Sequence, residues 1–239
     1  MALETIRRTS APAGTQALAI DQGLRAYMLR VYNYMGSGLA LTGIVALLVA
    51  SSEEVMRTLF GTGLMWVVLL APLGLVLLLS FRIQKMSLAA VQTTFWVYAA
   101  LMGAGLAPIF VIYTGASIAR TFFICAATFG AMSLYGYTTR KDLSGIGSFL
   151  IMGLFGIILA GLVNIFLQST MLEFLISAAG VLIFTGLTAY DTQKVKEMYF
   201  DADSVETAGK KAVMGALALY MDFLNLFLML LRFFGERRE

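Results

Sequence analysis

The chain has 239 residues, of which 59% are hydrophobic and 13% charged, with a net charge of +3 and a mean hydropathy of +0.84. Soluble domains carry roughly 25% charged residues, so this chain has too little charge to coat a water-facing surface. It has no histidine, which excludes histidine-based metal, acid–base and pH-switch chemistry. Its single cysteine, Cys125, excludes an intrachain disulfide.

Residues 1–24 are polar and mixed, with Arg7, Arg8, Pro12 and Asp21, and lack the apolar core of a signal peptide. They are expected to form a short cytoplasmic tail, with an interfacial amphipathic helix as the alternative. Residues 25–239 are expected to form one transmembrane domain. Seven apolar runs follow at 31–50, 63–81, 88–113, 121–139, 146–167, 171–190 and 212–235, and the first five contain no Asp, Glu, Lys or Arg. Runs of about 20 apolar residues span the hydrocarbon. Backbone groups in lipid must bond internally, so each run is expected to be a helix. The fold class is therefore all-α, a polytopic membrane protein with seven transmembrane helices. The last is apolar nearly all round, as a central helix would be. The two longer connections are 51–62 and 191–211.

Lys and Arg set orientation. With the N-terminus in the cytoplasm, twelve of the 17 basic residues fall on the inner side and five outside. Three of those five sit at the C-terminal end, so a re-entrant last run with a cytoplasmic C-terminus is the competing topology. Small residues at four-residue spacing mark close helix contacts. They form one ladder at Ala99, Gly103 and Ala107 and a shorter one at Gly156 and Ala160.

The polar residues inside the runs need an explanation. Asp222 lies about 15 Å into the last run. A carboxylate at such depth costs roughly 2.5–3.5 kcal/mol on insertion scales, and is a functional candidate by default. Asn225, three residues on, shares its face. Asp191 ends the sixth run, and the loop that follows brings both aspartates in from the same side. Their naive depths differ by about 15 Å, so they meet only if the sixth helix continues past Tyr190 or the seventh starts late. If they do meet, two carboxylates in contact cannot both ionise cheaply. They share one proton and latch the two helices. Losing it adds repulsion and opens a cytoplasmic gap. A divalent cation could replace the proton, since hard oxygen ligands suit Ca²⁺.

Arg82, ending the second run, is either a snorkelling arginine or a counter-ion to one aspartate. Arg232 reads as snorkelling, Glu173 and Arg120 as boundary charges, and Asn164 and Gln92 as helix glue. Asp201, Asp203 and Glu206 form a solvated cluster without the glycine and terminal glutamate of an EF-hand. No phosphate-binding loop, zinc-protease, nucleophile-elbow or dinucleotide fingerprint is present. Neither enzyme chemistry, nor a cofactor, nor a nucleic-acid partner is expected.

Several stretches resemble the Bax inhibitor-1 family, also called transmembrane Bax inhibitor motif proteins. They are Gly103-Ala-Gly-Leu-Ala-Pro108, Gly130-Ala-Met-Ser-Leu-Tyr-Gly136, Lys141-Asp-Leu-Ser144, Ala189-Tyr-Asp191, Leu219-Tyr-Met-Asp-Phe-Leu-Asn-Leu-Phe227 and Leu230-Leu-Arg-Phe-Phe-Gly235. The resemblance covers about residues 25 to 235 and suggests a bacterial member. It implies a seven-helix fold with a central last helix and a pH-sensitive Ca²⁺ leak. The family's paired aspartates fall on Asp191 and Asp222, and its nearby arginine on Arg82. The expected protein is a pH-gated cation leak channel in a bacterial inner membrane, with Ca²⁺ as the transported ion and Asp191 and Asp222 as sensor and gate. Its other contact is membrane lipid. The rival, since some bacterial relatives are linked to a membrane-bound protease, is an adaptor that restrains such a protease through the tail and the loop 192–211. A proton-coupled transporter is a third expectation.

Overall fold

The computed structural model describes residues 13–238, with side chains from residue 21 onward. Its helices are α1 (Ala13–Ala50), α2 (Glu53–Phe60), α3 (Leu64–Arg82), α4 (Leu88–Leu106), α5 (Pro108–Ile112), α6 (Gly115–Thr138), α7 (Ser144–Leu167), α8 (Thr170–Glu197) and α9 (Val205–Phe234). Seven spans are long and apolar enough to cross a membrane, with α4 and α5 forming one of them. The expected seven-span all-α fold is thus the one observed.

Helix starts are written in hydroxyl residues. Ser52, Ser87, Thr114, Ser169 and Ser204 each accept a hydrogen bond from the amide three residues on. This satisfies one of the otherwise orphaned first-turn donors.

Four boundaries differ from expectation. Residues 13–24, read as tail, are the start of α1, while 1–12 lie outside the described residues. The polar stretch continues the helix, since Leu, Gln, Ala and Arg are good helix formers. It is also docked, since a Cβ on Gly23 would strike the hydroxyl of Tyr199 after α8. The 51–62 connection contains α2, capped by Ser52 and carrying an i,i+4 pair between Arg57 and Glu53 at 2.7 Å. The third run breaks after Leu106 because Pro108 lacks an amide hydrogen and starts α5 instead. Finally, α8 runs on to Glu197 and α9 begins at Val205, leaving only 198–204 between them.

The last helix is central: α9 packs against α8, α1, α6 and α4. Two-thirds of its apolar window, 67%, is buried, against 0% for α7, which faces outward. Aromatic rings anchor this centre, with Tyr220 edge-on to Phe95 at 6.1 Å and to Tyr98 at 5.5 Å. The Tyr220 hydroxyl is bonded to Thr42 Oγ1 on α1 at 2.6 Å. Thr42 Oγ1 also lies 2.8 Å from the Ala99 carbonyl on α4.

The first small-residue ladder is a helix contact, since a Cβ on Gly103 would lie 2.6 Å from the Thr42 carbonyl of α1. The second is not. A Cβ on Gly156 would meet nothing within 4 Å, and α7 approaches α8 through Gly147 and Gly153 instead.

The last run is one unbroken helix, which removes the re-entrant topology. Its end is strapped to the α5–α6 connection: Thr114 donates to the Glu236 carbonyl at 3.0 Å, and Arg238 to that of Ile112 at 2.9 Å. The C-terminal end and the start of α1 therefore lie on opposite faces of the bundle.

Candidate functional site

Asp222 lies about 25 Å from the start of α9 and about 18 Å from its end. It is 5% exposed. Asp191 sits on α8, half-buried, and the two carboxyl groups lie within hydrogen-bonding reach of each other. A hydrogen bond between two carboxyls requires a proton on one of them. Asp222 Oδ2 accepts no hydrogen bond from a donor among the described residues.

Packing explains how the depth mismatch closes. A Cβ on Gly215 of α9 would lie 2.8 Å from Val195 of α8, and one on Gly180 of α8 would lie 2.7 Å from Met229 of α9. These two close approaches set the antiparallel register that puts Asp191 opposite Asp222. In that register the first two turns of α9 extend past the end of α8, and the loop 198–204 climbs the difference. Lys211 fastens that loop with a 2.6 Å bond to Asp203.

The α8 turn bearing Asp191 is clamped from two further sides. On α6, a Cβ at Gly136 would strike the Ala189 carbonyl; on α7, one at Gly147 would strike the Tyr190 ring. Beyond Asp191, the α6–α7 connection is tied down by Gln193, whose amide donates to the Lys141 carbonyl at 2.8 Å and accepts from the Leu143 amide at 2.9 Å. Lys196 donates to the Tyr137 carbonyl at 2.8 Å. Four of the stretches that resemble the family therefore converge here: 130–136, 141–144, 189–191 and 219–227.

A hydroxyl chain borders the pair. Tyr32 bonds Ser133 at 2.6 Å, Ser133 bonds Thr192 at 2.9 Å, and Thr192 donates to the Thr188 carbonyl at 2.7 Å. Sequence reasoning missed these residues. Threonines and serines in apolar helices routinely bond their own preceding turn, so their presence alone signals nothing. Lys194, one turn beyond Asp191, supplies the nearest positive charge.

Arg82 is not brought to the pair. It is exposed at the end of α3, which packs on α4 at the edge of the bundle, and pairs with no carboxylate among the described residues. Asn225 is half-buried one turn after Asp222 and makes no side-chain hydrogen bond to the pair. Of the other polar residues, Gln92 donates to the Tyr34 hydroxyl as helix glue. Asn164 instead caps the end of α7 by accepting from the Ser169 amide at 3.0 Å. Arg120 pairs with Glu236 at 2.8 Å. Glu173 and Arg232 line a recess of about 640 Å³ near the C-terminal face.

No third carboxylate or thiolate joins Asp191 and Asp222 among the described residues. Ca²⁺ takes 6–8 oxygen ligands, so an ion held by these two side chains would keep much of its water. That suits an ion in passage better than one in residence.

Comparison with known proteins agrees with the geometry. The family model described as "Inhibitor of apoptosis-promoting Bax1" matches residues 24–239. RP147 of Rickettsia prowazekii is 51% identical, covering 92% of this chain and 93% of its own. The inner membrane protein YbhL of Escherichia coli is also 51% identical, covering 90% and 94%. A Caulobacter vibrioides protein is 44% identical over 96% of each chain. With the match running from α1 to the end of α9, the chain belongs to the Bax inhibitor-1 family.

Proposed function

We propose that this protein is a pH-gated cation leak with Ca²⁺ as its ion, in which Asp191 and Asp222 form both the sensor and the gate. The observation that carries the reading is their contact. Two carboxyl groups meet across α8 and α9, one of them deep in the central helix, with no basic side chain among the described residues bonded to either. A shared proton makes that contact attractive and latches α8 to α9. Ionising both sets two like charges side by side in a poorly solvated site. Parting the helices lets water in to screen them, and a hydrated cation can then use the two oxygens as a passing ligand set.

The positive-inside pattern supports a cytoplasmic start of α1. Arg25, Arg140, Lys141, Lys196 and Lys211 all belong to the face where α1 begins. With that orientation Asp191 lies near the cytoplasmic end of α8 and Asp222 near the middle of α9. The printed name of the Escherichia coli relative supports an inner-membrane location.

The test is Ca²⁺ flux into proteoliposomes, measured across neutral pH. Wild-type flux is expected to depend on pH. Asp222→Asn and Asp191→Asn are each expected to flatten that dependence, and the double variant to add nothing further, because the pair acts as a unit. A pH response that survives in both single variants would overturn the gate.

A further inference from the structure

Between α1 and α6 the bundle is open toward the membrane. A groove of about 490 Å³ lies there, lined by Arg25, Met28, Tyr32, Phe129, Gly130 and Ser133 among others. Deeper along α1 lies a second, separate groove of about 500 Å³, past Gly36, Ala40 and Gly43 to Phe122. A Cβ on Gly36, Gly43 or Gly130 would meet nothing within 4 Å. These glycines thus keep a channel open instead of drawing helices together.

One end of the groove is charged. Arg25 is exposed at its mouth and pairs with no carboxylate among the described residues. Tyr137 lines the same mouth, and the Lys196 ammonium lies 5.8 Å over its ring. From Arg25 to Tyr32 the groove follows α1 for about 10 Å, within one half of a hydrocarbon core about 30 Å thick. The groove therefore lies inside one leaflet, with a cationic rim and an apolar floor. A guanidinium is suited to a phosphate, which it can bind through two parallel hydrogen bonds.

We propose that this groove binds one anionic phospholipid of the adjoining leaflet, with its phosphate on Arg25 and one acyl chain laid against Phe129 and Gly130 between α1 and α6. The hydroxyls of Tyr32 and Ser133 meet 2.6 Å apart in the groove wall, and Ser133 is also bonded to Thr192, the neighbour of Asp191. The bound lipid is thus connected through hydroxyls to the α8 turn that carries Asp191. The site stands whether or not the protein conducts ions.

Native mass spectrometry of the detergent-purified full chain tests this, with phosphatidylglycerol and phosphatidylcholine supplied in equal amounts. Wild type is expected to retain one phosphatidylglycerol, favoured about fivefold, the ratio that ~1 kcal/mol per basic residue at an anionic surface corresponds to. Arg25→Gln is expected to remove the preference, and Gly130→Leu, whose Cβ enters open space, to remove the bound lipid. Equal retention of the two lipids by wild type, or unchanged retention by Gly130→Leu, would overturn the site. A measurement on wild type alone guards against misfolded variants: phosphatidylglycerol with a photoactivatable acyl chain should label α1 and α6 on either side of the groove. Labelling spread evenly over the outward faces of α3 and α7 would refute the proposal.

Discussion

Gly136 and Gly130 stand on the same helix less than two turns apart, and the same substitution should act on them in opposite directions. At Gly136 an added methyl would strike the Ala189 carbonyl oxygen and lie 2.9 Å from its carbonyl carbon. Both are backbone atoms of α8, so no rotamer change relieves the clash, and α6 must move away from α8. Overpacking of this kind costs typically 1–3 kcal/mol, offset by the ~0.5–1 kcal/mol that alanine gains over glycine inside a helix. Gly136→Ala should therefore destabilise by about 1–2 kcal/mol. Gly130→Ala has open space around it and should stabilise by about 0.5–1 kcal/mol. Reversible unfolding of both variants in the same mixed micelles reads the difference. Ala189 lies two residues from Asp191, so Gly136→Ala should also alter the pH response of flux while Gly130→Ala leaves it alone. Equal stability of the two variants would refute the close α6–α8 approach on which the position of Asp191 depends.

Thr42→Val should strand the buried Tyr220 hydroxyl, which has Thr42 as its bonded partner, at a cost of about 1–3 kcal/mol. Tyr220→Phe added to it should cost less than the sum of the two single changes in the same unfolding assay. Asp142, in the α6–α7 connection, accepts hydrogen bonds from the Ser144 hydroxyl and amide, which hold its carboxyl below the ordinary carboxylate range. A carboxylate depressed on folding contributes stability above its unfolded value and loses it as pH falls through the folded one. Wild type should therefore lose more thermal stability than Asp142→Asn on acidification through that window, and equal losses would count against the contact.

The spans were legible because lipid leaves a helix no alternative, and uncharged runs such as 88–113 and 146–167 announce themselves. Their ends were not legible, because charge marks where the apolar stretch stops and not where the helix stops. Asp191, Lys194, Lys196 and Glu197 read as loop, yet α8 continues through all four. What holds it helical is tertiary: Gln193 and Lys196 bond carbonyls at or beyond the end of α6. That extension lets Asp191 meet Asp222, so the candidate pair could be named from sequence but its contact could not be secured by counting residues. Arg82 shows the converse. A basic residue at the right end of a neighbouring run looked like a counter-ion, but sequence does not say which helices are neighbours, and α3 lies at the edge against α4. Gly156 failed for a related reason, since small residues at four-residue spacing mark a smooth face whether or not a helix covers it.

The same contacts say where the structure can yield if the aspartates part. Against α6, the α8 backbone is in direct contact at Gly136, and the Lys196 side chain donates to the Tyr137 carbonyl of α6; against α7, Tyr190 is seated on Gly147. Against α9 the close approaches are made by the ends of side chains, Val195 on Gly215 and Met229 on Gly180, and a methionine has three rotatable bonds with which to adapt. Separation should therefore occur between α8 and α9, with α6 and α7 moving along with α8. Spin labels on the exposed positions Leu134 and Lys194 should keep their distance through the pH range over which flux changes, while labels on Lys194 and Phe233 should change theirs. A distance change between α6 and α8 with a fixed α8–α9 distance would place the moving boundary on the wrong side of Asp191, and the paired carboxyls could then not be the latch.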